Sequence, residues 1–382
     1  MGVIDNTTDD KWGNEMNILN VINNFDFEGE YVSHEPYGMG HINDTFAVTM
    51  RRSDGSEHRY ILQRMNKNIF KNVEELMRNL VMVTEHLKKV VVTRGGDPDR
   101  EVLQIVKTRD NAPFLIDEDG EYWRSYILIE NTIGYAIAED AEMFEDAGRA
   151  FGTFIGDLAE CPACELFEVI PNFHNTVSRF ADFKKALECN YENRIAECQS
   201  EVDFVLAREQ YCNKVVDMLA TGALPLRVTH NDTKLNNVLM DVDTNRAVCV
   251  IDLDTIMPGS LLYDFGDAIR SGCNTGLEDE PDLAKVSFDI NLFESFCKGF
   301  LSGIGSNITP AERDLLPFSA ILMTYECGMR FLGDFLNGDT YFKIQYREHN
   351  LVRARTQFKM VADMERQLDD MLAIARRYCK VK

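Results

Sequence analysis

Residues 228–266 carry the densest group of chemically informative side chains in the chain and read VTHNDTKLNNVLMDVDTNRAVCVIDLDTIMPGSLLYDFG. A carboxylate at Asp232 is followed by a cation at Lys234 and a carboxamide at Asn237, and a second acid, Asp252, follows an apolar run. Phosphoryl transfer needs an acid that orients the attacking hydroxyl, a cation for the phosphate and oxygen ligands for Mg²⁺. The segment therefore predicts the active centre of a small-molecule kinase.

The same segment predicts a β-hairpin that returns the second acid to the first. Two short apolar runs, 238–240 and 247–253, are separated by a turn-like Asp-Thr-Asn, which is typical of two antiparallel strands and their turn. The second strand then delivers Asp252 beside the loop that holds Asp232 and Asn237. The five-residue offset between these two also occurs in the protein-kinase catalytic loop H-R-D-L-x-x-x-N.

Each of these features alone has an ordinary structural explanation. A His-x-Asp tripeptide is common, and an acid at a strand end most often serves as a turn or cap residue. Here, Asp232, Lys234, Asn237 and Asp252 occur in order and are followed by Asp-Phe-Gly-Asp at residues 264–267. The specificity of the kinase prediction comes from this conjunction.

The composition argues against several classes of function. The 382 residues carry a formal net charge of -23, so a surface for nucleic acid or for an anionic membrane, which must be basic, is not expected. An ATP site in such an acidic chain needs local help from Mg²⁺, backbone N–H groups and a few placed cations. The ten cysteines show no disulfide framework, and no apolar run suits a signal core or a membrane span. We expect a cytoplasmic protein, and its oligomeric state stays open.

The length of the chain suits two domains, and the order of its elements predicts the bilobal α+β fold of a protein kinase. Residues 1–18 are expected to form a disordered leader, 19–130 a small β-rich nucleotide-binding lobe, and 131–382 a larger, mainly helical lobe with the catalytic loop and the substrate site. The smaller lobe should follow the order strand, glycine loop, two strands, helix 73–88 and further strands. The larger lobe should contain helices at 140–158, 180–198, 202–219, 292–301, 310–337 and 351–378.

The predicted nucleotide site uses backbone groups more than side chains. Gly38 and Gly40 flank one residue between two strands, where glycine lets the backbone approach a phosphate closely, although a lone G-x-G is usually only a tight turn. The segment that contains Ile127 and Ile129 is predicted to be the hinge that holds adenine between the lobes. Gln63 occupies the strand position at which kinases carry the lysine that pairs the nucleotide phosphates. Phosphate binding is then expected to fall on the glycine loop, the metal ion and the catalytic-loop lysine.

The catalytic loop is similar to that of the aminoglycoside phosphotransferase and choline kinase superfamily, and the chain resembles one branch of it, the N-acetylhexosamine 1-kinases. The phrases that carry this resemblance are, in chain order, EPYGMGHINDTF, RYILQRMN, LRVTHNDTKLNNVLMD, VIDLDTIMPGSLLYDFGDAIR, TYECGMRFL and YREHNLVRARTQ. The resemblance covers nearly the whole chain after residue 20. It implies ATP-dependent phosphorylation of the anomeric hydroxyl, O1, of N-acetylglucosamine or N-acetylgalactosamine, a step of bacterial sugar salvage.

The resemblance also implies roles for the residues of the catalytic segment. Asp232 would accept or orient the proton of the sugar O1, and Asn237 would bind Mg²⁺ together with Asp252. Lys234 would neutralise charge on the transferring phosphate. An anomeric hydroxyl is more acidic than an ordinary alcohol, so a plain carboxylate is an adequate partner for it, and positioning does most of the work.

Three further residues are placed at the sugar by the resemblance alone: His41, Arg330 and Tyr341. Arg330 also has a structural explanation, because Glu326 lies four residues earlier in a predicted helix and could pair with it. Ser271 stands where this branch carries a bulkier aromatic residue. That departure leaves the preference between the two amino sugars open, and the preference among nucleoside triphosphates is open as well.

Two other functions remain as alternatives. A choline-type or aminoglycoside-type kinase would agree with the acidic net charge, but cationic ligands need aromatic cages or carboxylate clusters, and an arginine in the pocket would oppose them. A nucleotide-binding pseudokinase would explain Gln63 in place of the lysine. Against it, Asp232, Asn237 and Asp252 are all intact, which a scaffold does not require.

Overall fold

Alternating apolar and polar residues build the N-terminal sheet. The computed structural model describes residues 18–38 and 42–379, and the first of its two compact units ends at Asn131. The strands of this sheet pair antiparallel in the order β1-β2-β3-β6-β4, with β5 paired to β6. The strands are β1 (Glu30–Pro36), β2 (Asp44–Arg51), β3 (Glu57–Arg64), β4 (Ile105–Val106), β5 (Leu115–Ile116) and β6 (Tyr122–Ile127).

One face of the sheet forms the core of this unit. Tyr60 and Leu62 of β3 pack, with Trp123 of β6, in one buried cluster with apolar side chains of the helical residues 18–24. Because successive side chains of a strand point to opposite faces, Gln63 is directed to the other face. The sheet therefore has one apolar face and one face that carries polar groups.

The helices of the first unit are α1 (Val73–Thr93) and α2 (Pro98–Glu101). Helix α1 runs beyond the predicted end at residue 88, because its buried positions continue through Leu87 and Val91. The strand predicted at 102–106 is reduced to β4. Gln104 explains this difference, because its side chain donates to the carbonyl of Pro98, 2.6 Å away, and so ties the start of the predicted strand to α2.

The second compact unit begins at Thr132 and is mainly helical. Its strands form two small antiparallel sheets, one in the order β10-β9-β7 and one of β8 with β11. The strands are β7 (Thr132–Gly134), β8 (Arg227–Thr229), β9 (Val238–Asp241), β10 (Ala247–Val250) and β11 (Met257–Gly259). The helices are α3 (Ala141–Asp157), α4 (Thr176–Cys189), α5 (Gln199–Leu206), α6 (Asn213–Ala220), α7 (Leu261–Gly272), α8 (Ile290–Ile304), α9 (Pro310–Leu336), α10 (His349–Arg366) and α11 (Leu368–Tyr378).

The predicted α+β fold, with strands concentrated in the first part and a larger helical second part, is confirmed. Three predicted helices are broken, however. The helix expected at 180–198 ends at Cys189 because Asn190 takes the left-handed conformation with φ of 40°. The stretches 202–219 and 351–378 each divide into two helices. No helix within 18–38 and 42–379 is long and apolar enough to cross a membrane.

Glycines bring α3 and α8 together at backbone distance. A Cβ atom at Gly152 would lie 2.1 Å from the carbonyl oxygen of Phe300, and one at Gly299 would lie 1.8 Å from that of Glu145. The same close approach occurs at Gly148 and Gly303. Only a residue without a side chain fits such positions. The two helices are therefore held in one register.

We expect Gly152→Ala to lower the free energy of unfolding by about 1–3 kcal/mol, because the added methyl group forces the helices apart. Gly156→Ala in the same helix is the matched control, since its Cβ would meet its nearest neighbour at an ordinary 3.4 Å. This control should be neutral or slightly stabilising, because alanine favours helix more than glycine does. Urea unfolding of both variants decides the matter, and equal stability of the two would contradict the close packing.

Candidate active site

The predicted catalytic loop, residues 230–237, is held by the carboxylate of Asp264. Its two oxygens accept the backbone N–H groups of His230, at 2.9 Å, and of Asn231, at 2.6 Å. The hydroxyl of Thr233 donates to the carbonyl oxygen of Asp264 at 2.5 Å. Asp264 lies in the first turn of α7, so the loop is fixed to the beginning of this helix.

The ionised form of Asp264 is the one that fits these bonds. Burial raises the pKa of Asp264 to about 6, while the charge of His230 and the two backbone N–H groups act to lower it. Each oxygen of Asp264 faces a backbone N–H donor, and a proton on either oxygen would point a second donor toward that N–H group. The loop geometry therefore depends on a carboxylate that is ionised at neutral pH and becomes protonated as the pH falls through about 6.

A second set of bonds joins the loop to the end of the hairpin. The imidazole Nε2 of His230 lies 2.8 Å from the carbonyl oxygen of Ile251, and the Thr255 hydroxyl donates to the carbonyl of His230 at 2.6 Å. The ring of His230 packs edge-on against Phe151 and Phe154 of α3. Helix α3 thus packs against the loop through these two aromatic side chains.

Asp232, Lys234 and Asn237 lie together in this loop. The Lys234 ammonium is 2.7 Å from Oδ1 of Asp232, and the Asn237 amide donates to both the backbone carbonyl of Asp232, at 2.8 Å, and its Oδ2, at 3.2 Å. The side chain of Asp232 is 28% exposed and that of Lys234 45%, so both can reach a ligand. Asn237 is buried, and its bonds fix the direction of the Asp232 carboxylate.

Lys234 keeps its positive charge in this setting. Burial acts to lower the pKa of Lys234, but the carboxylates of Asp232 and Asp267 outweigh it, so the pKa lies above its ordinary value. The ammonium is therefore available as a cation for a phosphate at neutral pH.

Asp252 follows strand β10 and is exposed. The hairpin pairs Val238 with Val250, and the N–H of Ile251 donates to the carbonyl of Asn237 at 2.9 Å, so the chain passes directly beside the catalytic loop as it reaches Asp252. Asp252 has the left-handed backbone conformation, with φ and ψ both 58°. Non-glycine residues held in this region cluster at functional sites.

A divalent ion suits the donors at this point. Carboxylate and amide oxygens are the ligands that Mg²⁺ prefers, and Asn237 directs its amide nitrogen to Asp232, which leaves its oxygen for a ligand. The described residues contain no group of three or more His, Cys, Asp or Glu side chains placed to hold a metal. Mg²⁺ is usually bound by one or two carboxylates together with substrate phosphates and water, so Asn237 and Asp252 fit that arrangement.

Arg330 of α9 lies among three aromatic rings, and within residues 18–38 and 42–379 its guanidinium forms no ion pair. Its guanidinium is 5.7 Å from the ring centroid of Phe173, 5.9 Å from that of Tyr341 and 5.6 Å from that of Phe342. The alternative ion pair with Glu326 does not form, because Glu326 binds the imidazole of His174 at 2.9 Å and the hydroxyl of Thr176 at 3.0 Å.

The segment that carries Tyr341 is fixed by Asp334, a buried residue near the end of α9. The Asp334 carboxylate accepts the backbone N–H groups of Thr340, Tyr341 and Phe342, each at 2.9 Å, and the side-chain amide of Asn350 at 2.9 Å. Tyr341 is 72% exposed. Its backbone is therefore rigidly held while its ring remains accessible.

The first unit contains the residues predicted to bind the nucleotide. Gly38 follows β1 with φ of 74°, whereas Gly40 and His41 lie outside the described residues. Ile127 ends β6, its N–H donates to the carbonyl of Gln104 at 3.0 Å, and buried Ile129 follows. The predicted hinge is thus tied to its neighbours within the unit, and its role toward adenine stays a prediction.

Gln63 binds a cation that the sequence did not reveal. Its Oε1 accepts two bonds from the guanidinium of Arg124, at 3.0 and 2.9 Å, and its Nε2 donates to the hydroxyl of Thr45 at 3.0 Å. Arg124 is buried and stands directly opposite Gln63 in the pairing of β3 with β6. A charged arginine within a strand of mainly aromatic and apolar residues was the available signal.

The family of the chain can be stated from its sequence. Residues 33–286, more than half of the chain, match the model of the phosphotransferase enzyme family known as APH. The chain belongs to this family. The match includes the catalytic loop, Asp252 and Asp264.

Several solved structures of small-molecule phosphotransferases have the same fold as this chain. An aminoglycoside phosphotransferase from Alicyclobacillus acidocaldarius is 14% identical, with a TM-score of 0.57 and coverage of 94% of this chain and 95% of that one. A choline kinase from Cryptosporidium parvum is 12% identical, with a TM-score of 0.57 and coverage of 96% and 98%. A spectinomycin phosphotransferase, solved with ADP and spectinomycin, is 13% identical, with a TM-score of 0.50 and coverage of 96% and 98%. At these identities the likeness concerns the fold.

We expect Asp264→Asn to lower activity by orders of magnitude and the free energy of unfolding by about 1–3 kcal/mol, because an amide group faces one of the loop N–H donors with a donor of its own. In the parent protein, kcat/KM should fall as the pH decreases through about 6, where Asp264 takes up its proton. Exposed Asp370, changed to Asn, is the matched control and should alter neither property. Steady-state kinetics and urea unfolding measure both, and a fully active Asp264→Asn would contradict the anchoring role.

Proposed function

We propose that the protein is an ATP-dependent kinase that phosphorylates the anomeric O1 hydroxyl of N-acetylhexosamines, N-acetylglucosamine or N-acetylgalactosamine. Membership of the phosphotransferase family supports the reaction class. The observation that carries the proposal is that the side chains of Lys234 and Asn237 both lie within hydrogen-bond distance of the Asp232 carboxylate. The sugar itself rests on the resemblance of the chain to N-acetylhexosamine 1-kinases, and a cytoplasmic location stays a prediction.

The chain's own groups divide the work of phosphoryl transfer. The Asp232 carboxylate orients the O1 hydroxyl and accepts its proton as O1 attacks the γ-phosphorus. Asn237 fixes that carboxylate, and Lys234 offers positive charge to the transferring phosphoryl group. Such a reaction needs positioning and electrostatic stabilisation more than covalent chemistry, and fixed groups on a short, anchored loop provide both.

Mg²⁺ and the nucleotide complete the proposed site. Asn237 and Asp252 would hold the metal, which when bound neutralises charge on the phosphates of ATP. In the first unit, Gly38, Gly40, Gln63, Ile127 and Ile129 remain the proposed nucleotide-binding residues. A structural neighbour, the amicoumacin kinase hAmiN, was solved with an ATP analogue and Ca²⁺, and the spectinomycin kinase was solved with ADP, which favours the same co-substrate here.

The surroundings of Arg330 favour a neutral, hydroxylated substrate over a quaternary ammonium. Three aromatic rings could form a cage for a cationic ligand, but the guanidinium of Arg330 already occupies their midst. Arg179 lies near enough for its pKa to be lowered by burial and by the charge of Arg330. Two cations make the region unsuited to choline or an aminoglycoside, whereas Arg330, Tyr341 and His41 suit the oxygens of a sugar.

A screen of ATP consumption over free sugars, choline and aminoglycosides tests this proposal. We expect turnover with N-acetylhexosamines, and we expect phosphorus NMR of the product to show a phosphate attached to O1. Asp232→Asn should lower kcat by about 10²- to 10⁴-fold, since the general base is removed. Exposed Asp217, changed to Asn, is the control. Turnover with choline or aminoglycosides alone would overturn the sugar assignment, and an unchanged kcat for Asp232→Asn would remove this residue from the mechanism.

We expect Asp252→Ala to require about tenfold more Mg²⁺ for half-maximal activity, because a metal-binding carboxylate is lost. The exposed hairpin residue Asp243, changed to Ala, provides the control within the same hairpin. A titration of activity against Mg²⁺ at saturating ATP measures the effect. Superimposable curves for Asp252→Ala and the parent would argue that Asp252 does not bind the metal.

A further inference from the structure

Asp267 is a buried acid beside the candidate active site for which the proposed reaction has so far assigned no role. It lies on α7, one turn after Asp264, and its side chain is 9% exposed. Its Oδ1 accepts from Nε of Arg270 at 2.8 Å. Its Oδ2 is also buried and has no hydrogen-bond partner among residues 18–38 and 42–379.

A buried carboxylate oxygen without a donor is costly. Leaving such an atom unpaired costs about 1–3 kcal/mol, and more for a charged group, so buried acceptors in native proteins nearly always have donors. Burial acts to raise the pKa of Asp267, but the charges of Arg270 and Lys234 outweigh it, and the pKa lies below its ordinary value. Asp267 is therefore a fixed negative charge, and its Oδ2 can accept a further hydrogen bond.

Lys234 lies close to this charge, because it follows Thr233, whose hydroxyl donates to the carbonyl of Asp264 at 2.5 Å, one turn before Asp267 on α7. Its ammonium bonds Asp232, and the carboxylates of Asp232 and Asp267 both favour its charged form, while Arg270 opposes it. His174 also lies close enough to influence Asp267. A lysine side chain has several rotatable bonds, so its ammonium can exchange one nearby carboxylate for another.

We propose that Asp267 is the positioning residue for Lys234: its Oδ2 receives the ammonium when Asp232 takes up the proton of the substrate hydroxyl. The inference rests on the proposed kinase function. In this step the substrate O–H bond breaks and an O–H bond forms on Asp232, while O1 bonds to the γ-phosphorus and the bond from that phosphorus to the leaving ADP oxygen breaks. Lys234 keeps its proton throughout.

This exchange serves both acids. An Asp232 carboxylate paired with an ammonium is a weaker acceptor for the substrate proton, since the positive charge stabilises its ionised form. When the ammonium turns to Asp267, Asp232 can hold the proton, and Lys234 remains charged beside the phosphoryl group. Two carboxylates thus have separate roles in the transfer step: Asp232 accepts the substrate proton, and Asp267 pairs with the Lys234 ammonium.

A double-mutant cycle tests the role of Asp267. Asp267→Asn should lower kcat by about 10- to 100-fold, as is usual for residues that orient a reacting group, with the KM values for sugar and ATP nearly unchanged. In a Lys234→Met background the same substitution should change kcat by less than about twofold, because the ammonium that Asp267 positions is no longer present. An equal loss in both backgrounds would overturn the proposal and assign Asp267 a purely structural role through Arg270.

The basic limb of the pH profile is an independent readout. Loss of the Asp267 charge removes one of the two carboxylates that hold up the pKa of Lys234. The activity of Asp267→Asn should therefore decline at lower pH than that of the parent, and Asp267→Glu should restore much of the difference. A basic limb that Asp267→Asn does not move would contradict the inference.

A replacement variant and a replacement substrate are available for this experiment. If Asp267→Asn alone does not fold, Asp267→Asn with Arg270→Gln replaces it in both backgrounds, since the guanidinium is then not left buried without its partner. If the parent turns over ATP but not with N-acetylhexosamines, the sugar assignment fails, and the cycle is measured on the alcohol that the screen identifies or on ATP hydrolysis. A parent without any ATP turnover would overturn both the proposed function and the role of Asp267.

Discussion

The bond pattern around the carboxylate of Asp264 is the constraint on which the candidate site depends. A backbone loop has no regular hydrogen bonding of its own, so its N–H groups must find acceptors elsewhere. The ionised side chain of Asp264 accepts two of these N–H groups, and the backbone carbonyl of the same residue accepts the Thr233 hydroxyl. The direction of Asp232 is inherited from this arrangement, because the residue follows directly on the two anchored peptides.

Helix α9 supplies the common reference for the site. A Cβ atom at Gly266 would lie 2.4 Å from the carbonyl oxygen of Ser319, so α7 meets α9 at backbone distance. One turn before Arg330, Glu326 binds His174, whose second ring nitrogen lies 3.4 Å from the carbonyl oxygen of Asn231 in the catalytic loop. The loop proposed to carry the chemistry and the arginine proposed to meet the substrate are therefore both fixed to the same helix.

Sequence reasoning succeeded where the informative residues are close in the chain. Asp232, Lys234 and Asn237 share one loop, and a short hairpin returns Asp252 to it, so spacing alone indicated that they could meet. It failed where partners are distant in the chain, as for His174 with Glu326 or Gln63 with Arg124, because no local pattern encodes such pairs. The close glycine contacts of α3 with α8 were missed for the same reason. Substrate identity is harder still, since kinases of this fold differ in their substrates while sharing their architecture.

The pairing of Gln63 with Arg124 has a consequence for the electrostatics of the first unit. A lysine in a strand can lose its proton when its surroundings change, whereas a guanidinium retains its proton at every pH at which a protein stays folded. Because an uncharged amide holds Arg124 in place, the orientation of the guanidinium does not depend on the titration of that partner either. Arg124 is buried, so the first unit carries a permanent positive charge of fixed direction inside its sheet.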